Sequence, residues 1–376
     1  MKKIQMVDLI NQYKHIKPAI DKGFEEVLNT AAFINGPQVK AFSQNLEKYL
    51  DVKHVIPCAN GTEALQIALM ALDLKPGDEV ITTDFTFAAT VEVISLLKLN
   101  SVLVDVDYET FTISPEAIRK AITPKTKAII PVHLFGQCAN MEEIMNIAKE
   151  HNLYVIEDNA QAIGSEYIFK DGTRKKSGTI GTIGTTSFFP SKNLGCYGDG
   201  GAIFTENDEL AYRIRGIVNH GMYKRYYHDE VGVNSRLDSL QAVVLDAKLP
   251  LLDSYNEKRR RAADFYDKAF SNHPNLIIPL RMEKYSTHVF HQYTLKVINS
   301  DRNALQQYLS EREIPAMIYY PVPLRKQKAY DTGKYKDEDF SNTDRLINEV
   351  ISLPMHTELE DDQLKYITEN VLGFFK

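Results

Sequence analysis

Lys192 stands in Ser187-Phe188-Phe189-Pro190-Ser191-Lys192-Asn193-Leu194-Gly195, a polar turn between two apolar, strand-like runs at 186–189 and 202–205. Most lysines are solvated surface groups, but the company of this one is unusual. Ser187 and Ser191 flank it, and Gly195, Gly198, Gly200 and Gly201 follow closely. Glycine lets backbone approach a ligand, and serine hydroxyls suit phosphate. A primary amine beside a phosphate cup is what pyridoxal phosphate requires to be held covalently by its enzyme.

Three further loops carry residue types that would complete such a site. Asn60-Gly61-Thr62 opens a predicted helix, where backbone N–H groups and the helix dipole attract phosphate. Gly61, Thr62 and Ser187 are therefore candidate phosphate donors. Phe87, in Asp84-Phe85-Thr86-Phe87-Ala88, could stack on a cofactor ring, although an aromatic beside a strand is more often core. Asp158 directly follows the apolar run 153–157, a place where a carboxylate is costly without a partner. A protonated pyridinium nitrogen would be such a partner and would keep the ring a good electron sink. An N-cap aspartate or a metal ligand would occupy the same position. Gln161 could reach the ring hydroxyl or lie at the surface.

These residues need a scaffold that converges them. From residue 54 onward, short strand-like runs at 55–58, 79–83, 102–106, 128–134 and 153–157 alternate with helical stretches such as 63–72 and 141–150. That alternation predicts an α/β fold with a mostly parallel sheet covered by helices on both faces. In such sheets ligands bind outside the carboxyl ends of the strands, where all four loops would lie. Ahead of this, 16–50 reads as amphipathic helix broken at Asn35-Gly36-Pro37. After Asp158 a hairpin is predicted over 166–173, then a helix over 209–218. A long helical stretch over 237–272 is interrupted at Pro250. Strands at 276–278, 289–297 and 316–320 with helices at 303–312, 343–351 and 362–371 make a compact α+β unit. The expected division is a large domain, 1–250, and a small C-terminal domain, 251–376, which the N-terminal helix could join.

Bulk properties narrow the class. A chain of 376 residues with formal charge -6 lacks the basic excess of a nucleic-acid binder. Cys58, Cys138 and Cys196 have no metal-site spacing, and reduced thiols in a cytoplasmic protein are the simplest reading. No apolar run has the length of a spanning helix, and no signal-peptide core follows the N-terminus. There is no GxGxxG after the first strand, no GxxxxGK[ST] and no HExxH. His288 and His291 would point to opposite faces of a strand, so no metal is expected. The basic run Lys258-Arg259-Arg260-Arg261, accompanied by Glu257 and Asp264, reads as a solvated or subunit-contacting helix face.

Cys58-Ala59-Asn60-Gly61-Thr62-Glu63-Ala64-Leu65, Asp158-Asn159-Ala160-Gln161, Ser187-Phe188-Phe189-Pro190-Ser191-Lys192 and Gly232-Val233-Asn234-Ser235-Arg236-Leu237 together resemble the DegT/DnrJ/EryC1/StrS family. The resemblance covers nearly the whole chain. It implies the type I, aspartate aminotransferase-like fold and a pyridoxal phosphate enzyme that aminates nucleotide-linked keto sugars. The wording of 187–205 and 231–238 is most similar to the branch acting on UDP-2-acetamido-2-deoxy-3-keto-glucuronic acid (the WbpE-like group), which serves bacterial O-antigen and lipopolysaccharide synthesis.

By matching position, the resemblance implies that Lys192 holds the cofactor, that Asp158 pairs with its ring nitrogen and that Gln161 lies beside the ring oxygen. Phe87 would stack on the ring, and Gly61, Thr62 and Ser187 would hold the phosphate. Asn234 would reach the phosphate from the other subunit, so the active unit would be a homodimer. Arg236 and Tyr320 fall where the family contacts the sugar, and a planar guanidinium suits a uronate carboxylate. Tyr319, where a histidine is common, and His291 within Phe290-His291-Gln292 depart from the pattern, as does Asn159. The first two stand among the sugar-facing candidates, with Lys224 and Arg225 in a loop that either holds the nucleotide diphosphate or is simply mobile and basic.

The implied reaction is a ping-pong transamination, with L-glutamate as donor and the cofactor cycling through pyridoxamine phosphate. Alternatives are an aminotransferase for a dTDP- or GDP-linked 3- or 4-keto sugar and a non-catalytic cofactor-binding regulator. A pyridoxamine-dependent dehydratase would carry a histidine in place of Lys192.

Overall fold

The computed structural model describes residues 2–376. Its central sheet has seven strands in the order His54–Cys58, Gly201–Thr205, Ile183–Ser187, Tyr154–Asp158, Thr126–Ile130, Glu79–Thr83, Asn100–Val104. Only Gly201–Thr205 runs against the others, pairing antiparallel with both neighbours. The reason is local. Ile183–Ser187 is followed by the Lys192 turn and a direct return, whereas the parallel neighbours are joined by helices that carry the chain back. The carboxyl ends of His54–Cys58, Glu79–Thr83, Tyr154–Asp158 and Ile183–Ser187 therefore open on one rim.

Register lines that rim up. Gly201 is opposite Cys58 on one side and Ser187 on the other. A Cβ on Gly201 would stand 2.5 Å from the Asn60 carbonyl, so the Asn60-Gly61 turn rests directly on the sheet end. The helix Gly61–Ala71 begins there, with the Asn60 side chain accepting from Glu63 N at 2.8 Å. Its buried positions join Ile56, Ile130, Ile156, Ile203 and Ile214 in one core layer. The opposite face is covered by Pro37–Leu50 and Ser239–Lys248, through Phe42, Leu46, Phe204 and Leu245, and by Met141–His151, through Ile144 and Ile147.

Several boundaries differ from the sequence expectation. The first helix runs Leu9–Thr30 straight through Pro18, and the break before Pro37–Leu50 falls where Gly36 and Pro37 predict it. A helix at Ala89–Leu96, unannounced by any cap, follows the Phe87 loop. The strand expected over 289–297 spans only Tyr293–Val297, because 288–292 turns onto the large unit: His288 bridges Gln137, and Val289 N donates to Gly136 O at 2.9 Å. His288 and His291 are therefore not opposed on a strand. Of 316–320, only Met317 pairs, with Ser352.

The C-terminal unit is a three-stranded antiparallel sheet, Leu276–Ile277, Tyr293–Val297 and Val350–Leu353, packed by Arg302–Ser310, Ser341–Glu349 and Asp361–Gly373. Ile4 enters its core. The first helix lies against Ser239–Lys248 through Ile16, Ile20 and Val244, and its Gln12 and His15 reach Thr357 and Glu358 near the C-terminal unit. The helix Leu252–Phe270 is shared: Leu252 belongs to the core of the large unit, and Ala262, Ala263, Tyr266 and Phe270 to the small one. Two buried polar clamps tie the units near the rim. Arg325 grips Asp84 through its backbone N–H and its guanidinium. Asp105 accepts from Asn342 N, Thr343 N and Thr343 Oγ1.

Candidate active site

The turn that carries Lys192 is closed by its own backbone. Lys192 N donates to Phe189 O and Cys196 N to Phe188 O, both at 2.8 Å. Gly195 is packed so tightly that a Cβ would stand 2.4 Å from Pro190 O. Lys248, buried in the helix Ser239–Lys248, donates to Gly195 O at 2.7 Å. The Lys192 amine itself has no hydrogen-bond or ion-pair partner among the described residues. Burial among protein atoms pushes it down to about 8, against the opposing pull of the Asp158 carboxylate.

Asp158 ends the strand Tyr154–Asp158 and is 5% exposed. Burial raises its carboxyl above the usual carboxylate range, although Thr90 Oγ1 donates to it at 2.9 Å and Ala160 N at 3.2 Å. Asp158 and Lys192 feel each other's charge without forming an ion pair. A buried carboxylate supported by two neutral donors, with a cation nearby but out of contact, is suited to a cationic ring nitrogen.

Behind Asp158 lies a second buried pair. His133 Nδ1 accepts from Ala139 N at 3.1 Å, so Nε2 carries the hydrogen directed at Glu157 Oε2, 2.8 Å away. Burial works against the Glu157 charge, yet His133 and the N–H groups of Gly181 and Gly178 hold the carboxyl below its ordinary range. His133 N in turn donates to Asp158 O at 3.0 Å, so this pair braces the backbone of the aspartate.

On the adjacent edge, the N–H groups of Gly61 and Thr62 are the first two of their helix and have no protein acceptor among the described residues. Ser187 is in contact with Gly61: a Cβ added there would stand 2.6 Å from Ser187 Cβ. Two free N–H groups at a helix start, with Thr62 and Ser187 hydroxyls beside them, form a cradle for a phosphate. Phe87 is 58% exposed, and its ring lies 6.4 Å from that of Tyr320. Gln161 is fixed at both ends, accepting from Phe135 N at 2.8 Å and donating to the Tyr320 hydroxyl at 3.2 Å. Tyr319 packs in the same small apolar cluster as Tyr320.

His291 is buried with Nδ1 unpartnered. Burial, reinforced by the charges of Lys192 and Arg259, holds it well below the usual histidine value, so it is neutral. It lies two residues after Val289, whose carbonyl accepts from Asn193 Nδ2 at 2.9 Å, next to Lys192.

Four of the sequence candidates make their bonds outside these loops, although Ser235, between two of them, accepts from Ala59 N at 3.1 Å beside the Asn60-Gly61 turn. Asn234 is exposed and bridges Asn219. Arg236 donates to Asn219 Oδ1 at 3.5 Å and lines a separate cavity of about 460 Å³ with Arg215, Lys40 and Val55. Lys224 and Arg225 lie at the exposed turn of the hairpin Met222–Lys224 and Tyr227–His228, over the rings of Tyr227 and Tyr226. None of the four bonds to the Lys192, Asp158 or Gly61 loops within this chain.

Sequence reasoning missed Thr90, His133 and Glu157. The only signal for them is polarity inside otherwise apolar runs. It also misread the basic run. Arg260 pairs with Glu257 and Arg261 with Asp361, but Arg259 is 2% exposed and faces inward, because position 259 falls on the buried stripe of its helix with Tyr255, Ala262 and Tyr266. No group of three His, Cys, Asp or Glu residues that could hold a metal occurs among the described residues.

The profile of the DegT/DnrJ/EryC1/StrS aminotransferase family matches residues 14–372. This chain belongs to that family. It is 44% identical to the "pleiotropic regulatory protein" of Geobacillus stearothermophilus over 99% of both chains. It is also 44% identical to the UDP-2-acetamido-2-deoxy-3-oxo-D-glucuronate aminotransferase of Pseudomonas aeruginosa, over 97% of this chain and 98% of the other. Among solved structures, Bacillus subtilis NtdA with bound cofactor PMP superposes with a TM-score of 0.89 at 31% identity, covering 99% of this chain and 85% of that one.

Proposed function

We propose that this chain transfers an amino group from L-glutamate to the keto carbon of a nucleotide-linked sugar, with pyridoxal phosphate held at Lys192. UDP-2-acetamido-2-deoxy-3-keto-glucuronic acid is the leading acceptor. The observation that carries the reading is the placement of Lys192, an amine with a pKa of about 8 and no protein partner, beside the buried carboxylate of Asp158 and the open helix start at Gly61.

When bound, pyridoxal phosphate supplies an electron sink for the charge left as a proton leaves the donor's α-carbon. Gly61 N, Thr62 and Ser187 would hold the phosphate, Asp158 would pair with the ring nitrogen, and Phe87 and Gln161 would bind the ring. Lys192 Nζ, about half neutral at pH 8, takes the proton from the α-carbon. In the reverse direction it returns one to the sugar carbon that receives the amine. Tyr319, Tyr320 and His291 border the sugar. His291, being neutral, can accept or donate a hydrogen bond there without placing a second cation beside Lys192.

In this reading Asn234, Arg236, Lys224 and Arg225 act across a homodimer interface; none of them bonds to the Lys192, Asp158 or Gly61 loops of its own chain. Asn234 reaches the phosphate of the other site, Arg236 binds the uronate carboxylate, and Lys224 and Arg225 face the nucleotide diphosphate. The work would take place in the cytoplasm, feeding surface polysaccharide synthesis. No described helix is long and apolar enough to cross a membrane.

The test is a half-reaction screen. The protein is converted to its pyridoxamine form with glutamate, and a panel of UDP-, dTDP- and GDP-linked keto sugars is tried for recovery of the lysine-bound absorbance. Recovery by the 3-keto uronate ahead of the rest is expected, and recovery only by a dTDP or GDP sugar would move the substrate. The name of the Geobacillus relative favours a second reading, a cofactor-binding regulator. Such a protein would bind pyridoxal phosphate yet turn over no keto sugar.

A further inference from the structure

The helix Leu252–Phe270 buries two polar side chains one turn apart, Asn256 at 1% exposure and Arg259 at 2%. Neither has a carboxylate partner, and their positions on an otherwise apolar stripe are costly unless every bond they make is used. The partners are informative. Asn256 Oδ1 accepts from Asn193 Nδ2 at 2.7 Å, and Asn193 follows Lys192 directly. The same Asn193 nitrogen donates to Val289 O at 2.9 Å, two residues before His291. Asn256 Nδ2 points at Ile163 O, 3.4 Å away, at the end of the turn that carries Gln161. Gly164, with φ +89, leaves room for it: a Cβ there would stand 2.5 Å from Asn256 Nδ2. One turn further on, Arg259 Nη1 donates to the carbonyls of Phe290 and His291 at 3.1 and 3.3 Å, and to Met355 O at 3.0 Å.

We infer that Asn256 is a positioning residue that locks the Lys192 turn, the Gln161 turn and the His291 segment into one frame, with Arg259 fixing the third of these. The inference rests on the aminotransferase reading of Lys192. Asn256 touches none of the reacting atoms; it acts through Asn193. Lys248 holds the Lys192 turn at Gly195 O and Gln241 holds it at Tyr197 N, whereas Asn193, the residue next to Lys192, is held through its side chain by Asn256 and Val289. Removing the acceptor at 256 leaves Asn193 held by Val289 alone. Proton transfer is sensitive to such slack, since a misplacement of 1 Å costs on the order of 100-fold in rate.

The test compares holoenzyme carrying Asn256→Leu, Asn256→Asp and Asn193→Leu with the parent. Leucine keeps the volume and removes the acceptor; aspartate keeps an acceptor for Asn193 in either protonation state. Two readouts are taken: the single-turnover rate with glutamate, and the pH midpoint of the absorbance of the lysine-bound cofactor. Asn256→Leu is expected to lose about tenfold or more in rate and to move the midpoint, with Asn256→Asp recovering most of both. Asn193→Leu removes the same bond from the other side and carries the test if Asn256→Leu does not fold. A folded leucine variant with rate within twofold of the parent and an unmoved midpoint overturns the inference. A parent that binds cofactor through Lys192 but does not react with glutamate overturns the aminotransferase reading, and the midpoint alone then decides the positioning role.

Discussion

Lys192 should react as a partly neutral amine at ordinary pH, and the size of that effect follows from its surroundings. A solvated lysine titrates near 10.5, whereas burial on the rim brings this one to about 8. At pH 7.5 about a quarter of the Lys192 amine is then neutral, against about one part in a thousand for an ordinary lysine, a difference of roughly 240-fold. Cofactor-free protein can be labelled briefly with a limiting amine-specific reagent across pH 6–11, and labelling at Lys192 followed by peptide mass mapping against the surface lysines. The labelling rate at Lys192 should rise to half its plateau near pH 8. Asp158 is the one charge that opposes this shift, so Asp158→Asn should move the midpoint lower still. A midpoint near 10.5 in the parent would refute the half-buried placement of Lys192 beside Asp158. An upward shift in Asp158→Asn would show that the two side chains do not share a site.

Lys192→Ala should bind pyridoxal phosphate through the Gly61 cradle yet lose more than the roughly 100- to 10,000-fold owed to a positioned base, and turnover within tenfold of the parent would remove Lys192 from the chemistry. Gly61→Ala should weaken cofactor binding about tenfold, or ~1.4 kcal/mol, because its Cβ would stand 2.6 Å from Ser187 Cβ; equilibrium titration of the cofactor-free protein measures it. Inactive Lys192→Ala and Asn234→Ala chains, mixed and allowed to exchange, should regain about a quarter of parental activity if sites are shared across a twofold dimer, and no recovery on confirmed exchange would place Asn234 outside the site. Arg325→Met should destabilise the fold by about 3–5 kcal/mol, since Asp84, fully buried and already pushed upward by burial, loses its only cation. Urea unfolding of the cofactor-free protein reads that cost.

The candidate cofactor loops stood out in the sequence because their chemistry is local. Lys192 between two serines and a run of glycines, Asn60 capping the helix that Gly61 opens, and Asp158 at the end of an apolar strand each announce themselves within a few residues. The alternation of strands and helices placed these loops on one rim, since parallel strands share a carboxyl end whatever their order. What supports the loops was not legible. Thr90 sits on a helix without a cap signal, and His133 reaches Glu157 across two strands. Asn256 and Arg259 are separated from the loops they hold by about thirty to ninety residues. The charge run at 258–261 looked like surface because sequence shows the charges and hides the helix phase that turns Arg259 inward.

Sequence alone thus pointed to the α/β class, to Lys192 and Asp158 as a candidate pair and to the helix start at Gly61 as a candidate phosphate site, all of which depend on residue type and on short-range backbone geometry. Tertiary structure decided which side chains are buried without a counter-charge and which candidates share a rim. Among the described residues it left Arg236, Asn234, Lys224 and Arg225 without a bond to the Lys192 loop of their own chain. The physical reason is that burial and electrostatic coupling are set by whatever packs against a group, and for Lys192, Asp158 and Arg259 those neighbours come from distant parts of the chain.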